Sequence, residues 1–142
     1  AGVDVSREML RLTQERSPAS GLAEANGRFL PFATGVFDRV FCTYVLDLIN
    51  FEEIPGFLAS FLRVLAPGGR LVLTSLTQGV GPGSKAVIGL WTAVYRQNPL
   101  TLGGCRPLNL YPLVQQVGFK QVTRDVVVQW GVPSEVVTAV KP

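Results

Sequence analysis

Apolar residues recur at helical spacing most clearly between Pro55 and Leu65, where Phe57, Leu58, Phe61, Leu62 and Leu65 share one face. Pro55 suits a first helical turn, and Pro67-Gly68-Gly69 predicts the stop. The runs on either side do not alternate. Arg39 to Val45 contains Val40, Phe41, Cys42 and Val45, and Arg70 to Ser75 reads RLVLTS. Such runs predict strands buried on both faces, as in a parallel sheet. Strand, helix, strand at this spacing predicts a right-handed βαβ unit.

The same pattern extends outward. Gly2 and Val3 read as the end of a buried strand with Asp4 at its tip, and Ser6 caps the helix that follows. Glu8 suits the positive end of that helix, and Met9, Leu12 and Thr13 would form its inward stripe. The helix should fail near Ser17-Pro18. Leu22 to Ala25 predicts a short strand closed by an Asn26-Gly27 turn. Ser84 is the expected cap of a helix to about Gln97, with Val87, Ile88, Trp91, Val94 and Tyr95 as its apolar face. A short helix from Tyr111 to Val117 should close on Gly118. Val122 to Trp130 and Val136 to Lys141 predict a terminal antiparallel hairpin turning through Gly131-Val132-Pro133-Ser134. The fold class is therefore α/β: a Rossmann-like, mostly parallel sheet with an antiparallel hairpin at its end. Residues 1–142 form a single domain, without repeats or a low-complexity linker.

Composition narrows the chemistry. The apolar share is 47% against 16% charged, a core-rich balance rather than a disordered one. Net charge is +3, yet the 13 basic residues are scattered singly, without the stripe a nucleic-acid groove needs. No apolar run approaches the roughly 18 residues that span a bilayer. No basic-then-apolar leader is visible, although the chain begins without Met. Histidine is absent, and Cys42 and Cys105 fit no CxxC pattern. Most zinc chemistry and any His-activated nucleophile are thereby excluded, and a reduced, cytoplasmic protein is expected.

Four stretches, in order, carry a resemblance: GVDVSREML at 2–10, LPFATGVFDRV at 30–40, VLAPGGRLVL at 64–73, and Gly118-Phe119 before the last strands. Together they resemble the class I S-adenosylmethionine-dependent methyltransferases, in the branch containing the ubiquinone and menaquinone biosynthesis enzymes. The resemblance implies S-adenosylmethionine as cofactor and a small-molecule acceptor. It implies that the Asp4 carboxylate holds the ribose hydroxyls and that Val5 lies against the adenine. Asn26 and Gly27 sit where the family often has Asp and a small residue at the adenine edge, and the Asn26 amide oxygen can still accept there. Thr43 would face the crevice at the end of its strand. Two plainer alternatives stand beside these roles: Asp4 as a helix-start acid, and Asn26-Gly27 as a simple turn.

Methyl transfer from a sulfonium is an in-line displacement that depends on proximity and alignment more than on acid-base power, so a chain without histidine is compatible with it. Tyr44, Asp47 and Tyr95 are the available bases, and none is assigned a catalytic role. The acceptor side is expected around residues 76–84, Trp91, Tyr95 and the Cys105-Arg106 loop, with Trp91 and Tyr95 equally readable as core. The family's first strand and glycine-rich turn are not found ahead of Asp4, so an N-terminally truncated domain is expected, with two strand edges left unpaired. A non-catalytic binding module and another Rossmann-like nucleotide binder are the competing readings. No GxGxxG precedes Asp4, which counts against the latter.

Overall fold

A computed structural model describes residues 1–142, the side chain of Leu102 excepted. The elements follow the predicted order: β1 (Gly2–Asp4), α1 (Arg7–Arg16), β2 (Leu22–Glu24), β3 (Phe37–Thr43), α2 (Ile54–Val64), β4 (Leu65–Leu76), α3 (Pro82–Gln97), α4 (Leu110–Val117), β5 (Lys120–Gln129) and β6 (Val132–Val140). β1 and β2 form a parallel pair by themselves. The other four strands run in the order β3-β4-β6-β5, with β3 parallel to β4 and the hairpin antiparallel.

The core lies where α2 and α4 cover this larger sheet. Ile54, Phe57, Leu58, Phe61 and Val64 of α2 are buried, together with Leu71 and Leu73 of β4, Leu110 and Val114 of α4, and Val137 and Ala139 of β6. Leu62 is only half-buried, and Leu65 belongs to β4 rather than to the helix. Pro67 disfavours α geometry at Ala66, the residue before it, and the helix ends ahead of that position, with Leu65 already in an extended conformation. Lys141 Nζ donates to the Leu65 carbonyl at 2.7 Å, satisfying a helix-end acceptor from the far end of the chain.

Several boundaries differ from expectation for local reasons. Pro82 takes the first helical positions of α3, so Gly81 is the cap and Ser84 sits one turn in. From there Ser84 Oγ accepts the Val80 and Gly81 N–H groups, each at 3.0 Å. The hairpin turns on Trp130-Gly131, both with positive φ (54° and 79°), so Val132 to Ser134 are already strand. Two-residue turns of this hand match the twist of the flanking strands. In α1, Met9 is 51% exposed and no residue is buried, because the helix has only the two-stranded β1-β2 sheet to cover.

β3 departs furthest from expectation. Its apolar run predicted burial on both faces, yet none of its residues is buried and Phe41 is 67% exposed. The reason is topological. β3 pairs with β4 on one edge only, and β1 pairs only with β2. Each strand has an unpaired edge, and both line one cavity.

Candidate functional site

That cavity, about 620 Å³, lies between the two sheets and runs along the facing edges of β1 and β3, from their amino to their carboxyl ends. Ligands of α/β sheets bind outside the carboxyl ends of the strands, the end of the cavity where Asp4, Val5 and Thr43 stand. All five sequence-predicted residues, Asp4, Val5, Asn26, Gly27 and Thr43, line it. Phe32, Phe57 and Phe61 supply apolar wall.

Asp4 ends β1. Its Oδ1 accepts the Ser6 N–H at 2.8 Å, which fixes the carboxylate at the start of α1, and Oδ2 receives no hydrogen bond among the described residues. The helix-start role and a free acceptor thus coexist in one side chain. Val5, the next residue, is 68% exposed. Asn26 caps the short turn Gly27–Phe29, its Oδ1 accepting the Arg28 N–H at 2.9 Å. The amide oxygen assigned to an adenine edge is therefore already shared with a turn, and the side-chain NH₂ is left for other work.

Gly27 has a packing reason of its own. A Cβ there would come within 2.7 Å of Cε1 of Phe57, so the missing side chain lets the 26–29 segment sit on the ring of an α2 core residue. Arg63 holds the neighbouring wall, donating to the carbonyls of Phe32 at 2.6 Å and Leu30 at 2.8 Å. Thr43 ends β3, paired with Thr74 of β4. Cys42 beside it is pushed up to about 12, by burial first and by the charge of Asp47 second.

Beyond Thr43 the chain enters a strained step. Tyr44 has φ 51°, sparsely populated for a residue with a side chain, while its N–H still donates to the Thr74 carbonyl at 2.8 Å. Its hydroxyl meets Ser134 Oγ at 2.9 Å, tying the end of β3 to β6. Asp47 follows, wholly buried, with the Leu76 N–H donating to Oδ2 at 3.4 Å. Burial pushes its carboxyl up; the Leu76 N–H, its own N–H and the Arg106 charge offset this in part.

Tyr44, Asp47, Leu76, Trp91 and Cys105 share a second cavity of about 330 Å³ with Trp130 and Ser134. Trp91 Nε1 donates to the Cys105 carbonyl at 3.0 Å, so the predicted acceptor-side helix and loop do meet. Tyr95 is not among the lining residues.

Sequence reasoning missed the anchor of that loop. Glu135 is wholly buried, with Arg124 Nε donating to Oε2 and the Leu110 N–H to Oε1, both at 2.6 Å. Arg124 also reaches Thr77 Oγ1 at 3.1 Å, and Thr77 donates to the Leu108 carbonyl at 2.7 Å. The signal was there to read. Glu135 is in phase with Val137 and Ala139, on the face of β6 that is buried throughout. Among the described residues no group of His, Cys, Asp and Glu could hold a metal, and no helix is long and apolar enough to cross a membrane.

Comparison with known proteins identifies the family and the fold. Residues 1–73 match the family described as a methyltransferase domain. A demethylmenaquinone methyltransferase from Thermus thermophilus is 38% identical over 108 residues, covering 72% of this chain and 46% of that protein. The chain spans between about a third and about half of the length of the curated relatives it matches. Among solved structures, an S-adenosylmethionine-dependent methyltransferase from Methanosarcina mazei superposes with a TM-score of 0.75 at 18% identity, over 99% of this chain and 80% of that one. The N-methyltransferase NodS from Bradyrhizobium japonicum, in complex with S-adenosylhomocysteine, gives 0.71 at 17%, over 99% and 65%.

Proposed function

The chain belongs to the methyltransferase domain family, and we propose that it binds S-adenosylmethionine in the 620 Å³ crevice and takes part in methyl transfer to a small molecule. The observation that carries this reading is the convergence of Asp4, Val5, Asn26, Gly27 and Thr43, from three separate strand ends, on one cavity. The residues present fit the cofactor. Asp4 offers an unshared carboxylate oxygen for ribose hydroxyls, and Val5 offers exposed apolar surface for the base. When bound, the cofactor supplies a methyl group already activated on a sulfonium. The chain's own residues then orient the reactants and exclude water, the contributions that dominate such a displacement. No residue is assigned as a base.

The demethylmenaquinone relative and the scattered basic residues favour a small apolar acceptor over nucleic acid. Two free thiols, Cys42 and Cys105, support placing the domain in a reducing compartment such as the cytoplasm. A second reading, a binding module without turnover, is favoured by the unpaired edges of β1 and β3, which leave the crevice open along its length. Calorimetry with S-adenosylhomocysteine tests the first reading. Asp4→Ala should weaken binding by about tenfold or more, the loss of a hydrogen bond to a charged group. Equal affinity in the two proteins would remove Asp4 from the site. Binding without methyl transfer to any of a panel of small aromatic acceptors would favour the second.

A further inference from the structure

Residues 1–25 are joined to the rest of the molecule by little more than the chain itself. Among the described residues, every hydrogen bond and ion pair they make has both partners inside that stretch. These include the β1-β2 ladder, the Gly2 N–H to the Gly21 carbonyl, the Ala25 N–H to the Asp4 carbonyl, and Arg7 to Glu24. None of these residues is buried. None belongs to the core cluster or packs against it, and the first residue in the chain to do so is Leu30. The boundary is sharp. Asn26 caps the Gly27–Phe29 turn, Gly27 rests on the Phe57 ring, and Arg28 pairs with Glu53 at 3.3 Å, so the chain is anchored at the start of α2 from Asn26 onward.

By itself the segment falls short of what keeps secondary structure formed. Two strands alone are marginal in water. A helix of ten residues is below the roughly 12–15 that hold without tertiary packing. The support that α1 does have is local: the Ser6 cap, and the Arg11 guanidinium between Glu8 and Glu15. Exposed pairs of this kind stabilise little. The crevice is divided along the same boundary. Asp4 and Val5 stand on the segment, whereas Asn26, Gly27 and Thr43 stand on the anchored body. A ligand that touches both sides favours the closed arrangement by its own binding free energy.

We propose that residues 1–25 are a flap that melts and re-forms as a unit about Ala25-Asn26 while the larger sheet stays folded, and that a ligand filling the crevice closes it. The melting is a property of the free chain. The closing rests on the S-adenosylmethionine reading of the crevice. Apparent affinity is then the intrinsic affinity reduced by the fraction of chains whose flap is formed. Ligand exchange needs no opening of the core, because the core residues lie outside the flap.

Hydrogen–deuterium exchange read on peptic peptides tests both parts on the intact chain. Without ligand, the amides of β1, α1 and β2 should exchange together, at least about a hundredfold faster than those of β4 and β6, as a segment of low local stability does beside a core. Exchange of residues 1–25 at the pace of β4 and β6 would overturn the flap. S-adenosylhomocysteine at about ten times its dissociation constant should slow the segment by about tenfold, the factor for a ligand that binds only the closed form. Amide shifts of Asn26, Gly27 and Thr43, all on the body, supply that constant. Such shifts without slowing of residues 1–25 would overturn the closure. No shifts at any of the three would overturn the S-adenosylmethionine reading and the closure with it, while faster exchange of residues 1–25 in the free chain would still establish the flap. A thermal melt gives a second readout, since both tryptophans, Trp91 and Trp130, lie outside the segment. Far-UV circular dichroism should begin to fall at a lower temperature than the one at which tryptophan fluorescence shifts, and S-adenosylhomocysteine should draw the two curves together. Coincident curves in the free chain, the mark of a single two-state unit, would contradict independent melting of the flap.

Discussion

Glu135→Ala should be the most damaging single change outside the apolar core. The carboxylate is wholly buried and accepts from two donors at 2.6 Å, Arg124 Nε and the Leu110 N–H. Its removal leaves the N–H of a fully buried residue unpaired and strands a guanidinium that is only 30% exposed. Breaking a buried pair by deleting one partner costs about 3–5 kcal/mol, mostly the penalty of the charge left behind. Glu135→Gln keeps one acceptor for the two donors and should cost less, about 1–3 kcal/mol. Urea denaturation monitored by tryptophan fluorescence reads both. For a domain of this size the alanine change should lower the thermal midpoint by about 10–15 °C. Arg124 loses its carboxylate partner as well, so the Thr77-Leu108 link should loosen, and with it the loop carrying Cys105 and Arg106. Glu24→Ala, which breaks an ion pair exposed at 45% and 85%, is the control and should leave the midpoint unmoved. If Glu135→Ala proves as mild as Glu24→Ala, the cluster is not what holds that loop to the sheet.

Three further outcomes follow from the same geometry. Gly27→Ala should destabilise by about 1–3 kcal/mol through overpacking against Phe57, and Phe57→Leu in the same chain should recover part of that loss; additive costs in the denaturation cycle would argue against the contact. Because the folded state raises the Asp47 carboxyl, it binds more protons there than the unfolded chain does. Stability should therefore fall as pH rises from about 4 through the raised value, and this fall should shrink in Asp47→Asn. Identical pH profiles would contradict the burial argument. Cys42, raised to about 12, stays a protonated thiol at pH 8, so iodoacetamide followed by mass spectrometry should label it far more slowly than a free thiol, with labelling accelerating only on unfolding.

What the sequence revealed depended on whether the cause was local. Ser6 and Gly118 are end signals whose chemistry lies within one turn, and both sit at the boundaries expected of them. The α2 stripe was legible because Phe57, Leu58 and Phe61 share a face whatever they pack against. The apolar run of β3 was not, because burial there depends on whether a second neighbour pairs with its edge, and periodicity carries no record of partners. Ser84 misled for a smaller reason, as Pro82 claims the first turn two residues earlier. The five crevice residues were found through the resemblance, with Asp4 at a strand tip giving independent chemical sense. Asp47 was visible as a residue, but nothing in the order of amino acids reveals that one of its oxygens lacks a donor. That is a fact of three dimensions alone.

The central claim is that the crevice between β1 and β3 is a nucleoside site. The most direct measurement is a backbone amide chemical-shift map of the ¹⁵N-labelled chain titrated with S-adenosylhomocysteine, which reports location even where affinity is low. The largest shifts should fall together on Asp4, Val5, Asn26, Gly27 and Thr43, from all three strand ends. Shifts confined to β5 and β6, or no shifts at millimolar ligand, would contradict it.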